Sequence, residues 1–276
     1  MREVDSQIII RALEFTARFG FISQQIFFKY LCPYRRSKQY QLWSGLFSDQ
    51  LLIRSRGISE TAYLSPRGRR VVDAKPVEAL PSYLVPHDSI VAEFLLTLES
   101  SGLVEQSWTE NELKTDSREA YKVLGGAQLL KYPDLVVQMR SKAGSAKIAV
   151  EIERSQKTHV RYSQIALNYV HAQEIGLLVF GCETPALRKA VLSAFSKDIV
   201  VRSNKTPATF LLEDFALLGI EMEAELLTYK MTFRKMMLAA LQLPDAAWCI
   251  KTGKSVDNPW TIGGLASTDC PRKKVS

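Results

Sequence analysis

The 276-residue sequence is poor in cysteine, in histidine and in long apolar runs, and each shortage excludes a class of protein. Its four cysteines form no Cys-x-x-Cys pair, which argues against a zinc cluster and against a disulfide framework. No apolar stretch approaches the ~20 residues that span a bilayer, so we expect no membrane insertion. No glycine-rich phosphate-binding loop is present, which argues against an NTPase. The first residues include acids where a signal peptide would be positively charged, and we therefore expect a soluble, cytoplasmic protein.

The composition is that of a folded protein with a basic excess. Hydrophobic residues make up 46% of the chain and charged residues 24%, which excludes disorder of the whole chain. The net charge is +7, and residues 1–80 account for +6 of it, with 13 Lys and Arg against 7 Asp and Glu. Residues 81–276 are close to neutral. The charge therefore predicts that contacts with nucleic acid are concentrated in the first 80 residues.

Two prolines, Pro76 and Pro81, indicate a boundary near residue 80, because each disfavours helix in the residue before it. We expect one unit over residues 1–80 and a second over residues 81–250. Residues 251–276, rich in Gly, Ser and Lys, have the composition of a flexible basic tail.

The first unit has the order of a winged helix-turn-helix domain, three helices followed by a two-stranded wing, and resembles that family over residues 5–75. Apolar spacing and breakers predict helices at Ser6–Phe19, Gln24–Leu31 and Lys38–Asp49 (capped by Ser37), strands at Leu51–Arg54 and Ala62–Leu64, and a last helix at Arg67–Ala74.

Basic and polar residues occupy the positions of this unit that contact DNA in such domains. The start of the third helix, the part that enters the major groove, carries Arg35, Arg36, Lys38, Gln39 and Gln41. Arg54, Arg56 and Arg67 flank the wing and can reach phosphates. The alternative is a solvated basic surface, or a winged helix that contacts protein.

The second unit contains a hairpin that brings carboxylates together. Tyr132–Met139 and Ile148–Ile152 are short apolar runs joined by a polar connection. Glu151 and Glu153 share one strand face because the side-chain period is two, and antiparallel pairing can bring Asp134 near them. Three such carboxylates repel one another unless a cation lies between them, and Mg²⁺ or Mn²⁺ is the natural one. Lys157 could add a positive charge near a phosphate.

This hairpin resembles the core of the PD-(D/E)xK nucleases, which bear an Asp and then an acid-x-Lys triplet. Pro133-Asp134 and Glu151 match that pattern, whereas Glu153 stands where the Lys is usual. The arrangement D–x16–E-x-E-x3-K is similar to the MobC family of plasmid mobilisation relaxases, which join a winged helix to a nuclease-like domain. The resemblance implies that Asp134, Glu151, Glu153 and Lys157 are catalytic, with the three acids binding the metal.

Two upstream segments occupy the places of earlier motifs in the same family. His87-Asp88 opens a helix, and Trp108–Leu113 supplies two further acids, Glu110 and Glu112. The resemblance makes His87, Glu110 and Glu112 candidate catalytic residues, with Glu93 as another acid of the first helix. The alternative is that these residues are helix-terminal or packing residues.

The remaining sequence agrees with an α/β (α+β) fold, in which a mixed restriction-endonuclease-like sheet is flanked by helices. We predict an amphipathic helix at His159–Gln173 with Val160, Ile165, Leu167 and Val170 on its apolar face. Tyr162 and Tyr169 on this helix could approach the site, but tyrosines at such positions are more often packing residues. A buried strand at Ile175–Phe180, a helix at Thr184–Phe195 and a strand at Ile199–Val201 follow, and residues 212–243 are predicted to be helical.

The function implied by the resemblance is metal-dependent nicking of one DNA strand at a transfer origin. The partners would be double-stranded DNA, single-stranded DNA as a further candidate, and relaxosome or coupling proteins. The absence of a histidine cluster argues against the commoner, histidine-based relaxase chemistry. The alternatives are a DNA-binding relaxosome accessory protein or transcription regulator with a degenerate nuclease fold, and an endonuclease subunit of a transposase.

Overall fold

The computed structural model describes residues 3–56, 58, 60–73, 80–81, 83–126, 131–141, 144–195, 207–226 and 229–242. The strand expected at Ile199–Val201 and the tail over 251–276 lie outside these residues. Among the helices that are described, none combines the length and the apolarity needed to cross a bilayer.

The N-terminal unit has the winged helix-turn-helix order expected from the sequence. Its elements are α1 (Glu3–Phe19), β1 (Ile22–Ser23), α2 (Gln24–Ile26) running into a π-helical turn (Phe27–Leu31), α3 (Arg36–Ser48), β2 (Leu52–Arg54), β3 (Thr61–Leu64) and α4 (Pro66–Val71). The three strands form an antiparallel sheet in the order β1-β3-β2.

Local sequence explains most of these boundaries and corrects three of them. Gly20, with φ +76°, ends α1 in the left-handed conformation that favours glycine, and the Ser23 hydroxyl accepts a hydrogen bond from the Ile26 N–H at the start of α2. The second helix is not regular, because its last turn is π-helical. Ser37 is not the cap of α3, since the helix begins two residues earlier than predicted, at Arg36, with Arg35 at the N-cap. The last helix ends at Val71, short of the predicted Ala74.

The second unit is built on a seven-stranded mixed sheet. Its elements are α5 (Val85–Ser100), β4 (Val104–Thr109), α6 (Glu110–Thr115), α7 (Ser117–Val123), β5 (Leu135–Ser141), β6 (Gly144–Glu153), α8 (His159–Val170), β7 (Ile175–Cys182), α9 (Pro185–Ala194), β8 (Pro207–Leu211), α10 (Leu212–Leu218), a 3₁₀ turn (Gly219–Glu221), β9 (Glu223–Leu226), β10 (Tyr229–Thr232) and α11 (Phe233–Gln242). The sheet order is β10-β9-β8-β7-β6-β5-β4.

The pairing confirms the predicted hairpin and the mixed sheet flanked by helices. Strands β4, β5 and β6 are antiparallel, and β6, β7 and β8 run parallel, so α8 and α9 are crossover helices. The continuous helix expected over residues 212–243 is wrong, because β9 and β10 form an antiparallel hairpin within it. The sequence Glu223-Ala224-Glu225-Leu226 alternates between polar and buried residues, which is the period of a strand.

The two faces of the sheet are covered by separate apolar cores. One core, which includes Val150 and Phe94, continues without interruption into the winged-helix unit. The other core lies between the sheet and α8, which buries Tyr162, Ile165, Ala166 and Tyr169. Tyr162 and Tyr169 are both buried in this core, as expected of packing residues. The predicted apolar face of this helix is wrong at Val160 and Leu167, which are 66% and 47% exposed.

Polar contacts reinforce the junction between the two units. Arg18, near the end of α1, forms an ion pair with Glu112 at 2.8 Å and donates to the carbonyl oxygen of Ser107. Lys29 and Tyr30 both donate to the Glu93 carboxylate at 3.1 Å. The winged helix is thus fixed against the sheet unit by both apolar and ionic contacts.

Candidate functional site

The candidate site lies where β6 runs beyond the start of β5. The last register pair of these strands at this end is Leu135 with Val150, so the backbone groups of Ile152 have no partner on β5. The Ile152 N–H donates instead to Asp134 Oδ2 at 2.7 Å, and its carbonyl oxygen lies 3.2 Å from His87 Nε2. A side chain and an imidazole therefore complete the hydrogen bonds that the sheet leaves open.

Lys131 lies between the carboxylates of Asp134 and Glu151. Its Nζ is 2.6 Å from Glu151 Oε2 and 3.3 Å from Asp134 Oδ1. The Glu151 side chain is 1% exposed and that of Asp134 is 7% exposed, so both charges are shielded from water. We expected a cation between these acids, and in this structure the cation between Asp134 and Glu151 is the ammonium group of Lys131. The ammonium offsets the repulsion between the two buried carboxylates, and its removal would leave their charges uncompensated.

The remaining oxygens of the pair are also engaged. Tyr169, on α8, donates to Glu151 Oε1 at 2.7 Å. His87 Nε2 lies 3.3 Å from Asp134 Oδ2, and His87 Nδ1 lies 2.9 Å from Asp88. The two carboxylates are therefore held in place by side chains from α5 and α8 and by Lys131, which precedes β5.

The electrostatic environment shifts the pKa values of Glu151 and Asp134 in opposite directions. Burial and the negative charge of Asp134 raise the pKa of Glu151 to about 7, although Lys131 and Tyr169 oppose the shift. Burial would also raise the pKa of Asp134, but His87, Lys131 and the Ile152 N–H outweigh it and lower that pKa to about 2. Glu151 is consequently the member of the pair that accepts a proton near neutral pH.

The two basic groups of the site are charged over the physiological range. Burial would lower the pKa of His87, but its contacts with Asp134 and Asp88 outweigh burial and raise the pKa to about 10. Burial likewise opposes the charge of Lys131, yet Glu151 and Asp134 raise the pKa of Lys131 well above its ordinary value. An anionic group that enters the site therefore meets two cations.

Glu153 and Lys157 form a second pair apart from this centre. Lys157 donates to Glu153 Oε2, and the other oxygen, Oε1, is buried with no hydrogen-bond partner among the described residues. Cys182 lies beside this pair, and burial with the charge of Glu153 raises the pKa of its thiol to about 12. Glu151 and Glu153 do share the face of β6 that α8 covers, as the strand period predicts. However, their carboxylates bind different lysines.

The described residues contain no group of three His, Cys, Asp or Glu side chains arranged to hold a metal ion. The three-carboxylate cluster expected from Asp134, Glu151 and Glu153 is therefore not assembled in this part of the chain. A two-carboxylate site is compatible with the geometry, because Asp134 and Glu151 converge on one cationic position. Mg²⁺ is commonly held by one or two carboxylates together with waters and substrate phosphates. Asp134 and Glu151 would be the residues that hold such an ion, at the position that Lys131 occupies in this structure.

Of the two upstream acids, one lies near the centre and the other supports the fold. The Glu110 N–H donates to the Asp134 carbonyl oxygen at 3.2 Å, while its carboxylate pairs with Lys114 at 2.9 Å. Glu112 accepts the Thr109 N–H and hydroxyl in a capping box and binds Arg18. Glu112 therefore stabilises α6 and the junction rather than the site.

A cleft of about 690 Å³ opens onto the centre at the junction of the two units. It lies among Arg18, Gly20, Leu84, His87, Glu110, Lys114, Lys131 and Asp134, together with neighbouring residues. This is the size of a small-molecule pocket. A nucleotide or a phosphate group entering it would reach His87 and Lys131 before the buried carboxylates.

The structure divides the predicted DNA-binding residues into two groups. Arg35, Arg36, Gln41, Arg54, Arg56 and Arg67 are exposed. Lys38 instead pairs with Asp5 at 3.0 Å, and Gln39 donates to the carbonyl oxygens of Phe28 and Cys32 at 2.8 Å. These two side chains hold α3 against the rest of the unit. Tyr40, 42% exposed beside Arg36, is a surface residue that the sequence analysis did not select.

The sequence does not predict Lys131 as a member of the centre, and it favours packing over a contact with the site for Tyr169. Lys131 precedes β5 and belongs to no acid-x-Lys triplet, so only its spacing of three from Asp134 could have indicated it. Tyr169 has the spacing of a buried face of α8, and that periodicity does not distinguish a packing tyrosine from one that binds a carboxylate. His87, by contrast, was selected from the sequence and does contact Asp134.

The comparisons with known proteins give little beyond this geometry. No family model matches the chain, and no curated protein matches it, so the MobC resemblance depends on the sequence motifs alone. Among solved structures, the restriction endonuclease FokI bound to DNA is similar with a TM-score of 0.26 and 12% identity. The match covers 76% of this chain but only 43% of that one.

Proposed function

We propose that this protein is a metal-dependent DNA endonuclease that cuts one strand at a specific site, with Asp134 and Glu151 as the metal-binding pair. The observation that carries the proposal is the convergence of these two buried carboxylates on one cationic position at the start of β5 and the end of β6. A basic winged helix packed against the same unit supports DNA as the substrate.

Each residue of the centre has a role that follows from its contacts. Asp134 and Glu151 would hold a divalent ion, Mg²⁺ or Mn²⁺, which when bound activates water and stabilises negative charge on the phosphate. Tyr169 fixes the orientation of Glu151, and the Ile152 N–H with His87 fixes Asp134. His87 and Lys131 line the cleft and would bind the phosphate. The exposed arginines of α3 and the wing would bind the duplex.

The finer proposal is that the protein is a relaxase of the MobC type, which nicks a transfer origin during mobilisation and works with relaxosome or coupling proteins in the cytoplasm. It is supported by the D–x16–E-x-E-x3-K spacing and by the winged helix in front of it. Lys157 and Glu153, which pair with each other, would then act next to the metal-binding pair rather than within it.

A library of supercoiled plasmids with random inserts tests the activity without knowledge of the cognate site. Incubation with Mg²⁺ or Mn²⁺ should convert a subset of plasmids to open circles, and sequencing of the nicked strand gives the site. Asp134→Asn and Glu151→Gln should abolish nicking, whereas Glu105→Gln, whose carboxylate pairs with Arg140, should retain most of it. Absence of open circles from the whole library, at verified folding and DNA binding, would overturn the proposal.

One observation favours a second function, that of a non-catalytic DNA-binding protein such as an accessory factor or regulator. Lys131 already occupies the position between both carboxylates, as it would in a nuclease fold retained only for binding. In that case the protein should bind DNA with the same affinity with and without Mn²⁺, and Asp134→Asn should leave that affinity unchanged. The endonuclease subunit of a transposase differs from both in requiring a partner protein for cutting.

A further inference from the structure

Lys131 occupies the position at which Asp134 and Glu151 would hold a divalent ion. Its Nζ contacts one oxygen of each carboxylate, and the other two oxygens are bound by Tyr169, by the Ile152 N–H and by His87. The oxygens that face the common position are therefore the ones that Lys131 uses. An ammonium and a divalent ion cannot share them, since the two cations repel at such distances.

We propose that Lys131 is an exchangeable cation of this centre: it closes the Asp134–Glu151 pair in the free protein and leaves the pair when a divalent ion binds. The proposal rests on the proposed function, because it assumes that the pair is the metal-binding centre. If Lys131 exchanges with the ion, the affinity of the carboxylate pair for the ion depends on whether another anionic group accepts the Lys131 ammonium.

The position of Lys131 allows this exchange. Its side chain is 25% exposed and lines the cleft, whereas the carboxylates behind it are buried. Lysine has a long flexible stem and a compact charge with three donors, so its ammonium can move from a carboxylate to another anion by rotation of the side chain. A DNA phosphate in the cleft is an acceptor of this kind. Lys131 would then contact the phosphate in the same state in which the pair is open.

Binding of the ion and binding of DNA must therefore favour each other. A phosphate that draws Lys131 into the cleft raises the affinity of the carboxylates for the ion, and by thermodynamic linkage the ion raises the affinity for DNA by the same factor. Couplings between sites are commonly about 5- to 150-fold. The free protein should consequently bind Mn²⁺ weakly, and the DNA-bound protein should bind it at least several-fold more tightly.

Calorimetric titration with Mn²⁺ tests the exchange without any measurement of cleavage. The variants are Lys131→Gln, which removes the competing charge, and Lys114→Gln, which removes a lysine of the same cleft that pairs with Glu110. Lys131→Gln should bind Mn²⁺ about 10-fold or more tightly than the wild type, and Lys114→Gln should match the wild type. Equal affinities of wild type and Lys131→Gln would overturn the exchange while leaving the metal-binding centre in place. Failure of both to bind Mn²⁺ would remove the centre and the exchange together.

A second measurement covers the case in which Lys131→Gln does not fold, as circular dichroism would show. The wild type is titrated with Mn²⁺ in the presence and absence of a random-sequence duplex oligonucleotide, with the Mn²⁺ bound by the DNA alone subtracted. The duplex should raise the affinity for Mn²⁺ several-fold in the wild type and in Lys114→Gln. An affinity that the duplex leaves unchanged would contradict the proposal.

Discussion

The hydroxyl of Tyr169 donates a hydrogen bond to Glu151 Oε1 across 2.7 Å, and both residues are 1% exposed. The bond links α8 to β6 in the interior of the second core. It leaves Oε2 as the oxygen that faces Lys131. The orientation of Glu151 in the candidate centre therefore depends on a residue of the crossover helix.

Tyr169→Phe should destabilise the protein and displace Glu151. A hydrogen bond to a charged group contributes roughly 1.5–3 kcal/mol, and the loss leaves a buried carboxylate oxygen without a partner. We expect a decrease of that order in the free energy of unfolding, measured by urea denaturation. Tyr162→Phe is the matched control, since the Tyr162 hydroxyl accepts only a long bond of 3.4 Å from the Lys157 N–H. Equal losses in the two variants would show that the Glu151 bond contributes nothing specific.

The ion pair between Arg18 and Glu112 should couple the winged helix to the sheet unit. Arg18 Nε lies 2.8 Å and 3.0 Å from the two Glu112 oxygens, and neither side chain is fully exposed. A double-mutant cycle with Arg18→Ala and Glu112→Ala should give a coupling free energy of about 0.5–3 kcal/mol in thermal or urea unfolding. The Arg11–Glu99 pair, at 3.9 Å and with the Arg11 side chain 56% exposed, is the control, with an expected coupling near zero.

The exposed face of α3, rather than its first polar residues as a group, should determine DNA affinity. Arg36→Ala and Gln41→Ala should weaken binding of a duplex with little change in stability, because both side chains point to solvent. Gln39→Ala should instead lower stability by about 1–3 kcal/mol, since two carbonyl oxygens lose their donor. Fluorescence anisotropy and urea denaturation separate the two effects. A loss of DNA affinity in folded Gln39→Ala larger than that in Gln41→Ala would contradict the assignment.

The wing should contribute phosphate contacts. Arg54 is the last residue of β2, Arg56 follows it, and both side chains are exposed. Each phosphate contact that is removed should reduce the slope of log affinity against log salt by about 1 and weaken binding of all sequences alike. The measurement is anisotropy at a series of salt concentrations for Arg54→Ala and Arg56→Ala. A change of sequence preference without a change in slope would indicate base contacts instead.

Sequence patterns predicted the elements whose residues show a clear apolar period. They did not predict features that depend on which neighbouring element a face packs against. The helix-and-wing order, the β5–β6 hairpin and the buried strand β7 follow from apolar spacing and turn residues. The buried face of α8 did not follow from apolar spacing, because Val160 and Leu167 are apolar but lie on the exposed side of the helix. Periodicity places residues on a face without stating which of two similar faces the neighbouring strand will cover.

The candidate centre was predicted only in part, because spacing along the chain does not determine which side chains reach each carboxylate. Asp134 and Glu151 were predicted from their spacing on the hairpin, and the pairing of β5 and β6 brings them together. Glu153 lies two residues further along the same face, and Lys157, in the connection between β6 and α8, is its separate partner. Whether adjacent acids share one cation or bind two depends on which lysines reach them, and spacing along the chain does not determine that.

The pH dependence of stability in the metal-free protein should report on His87 and Glu151. Both have folded-state pKa values above the ordinary ones, about 10 for His87 and about 7 for Glu151. Between the ordinary and the folded pKa the native state binds more protons than the unfolded state, so the free energy of unfolding falls as pH rises. The contribution of Glu151 should decline from about pH 4.5 to 7 and that of His87 from about pH 6.5 to 10.

Urea denaturation with chelator across this range measures the decline. Glu151→Gln should flatten its lower part and His87→Gln its upper part, because each removes one of the two titrating groups. A wild-type stability that rises between pH 5 and pH 9 would contradict the protonation states assigned to this centre.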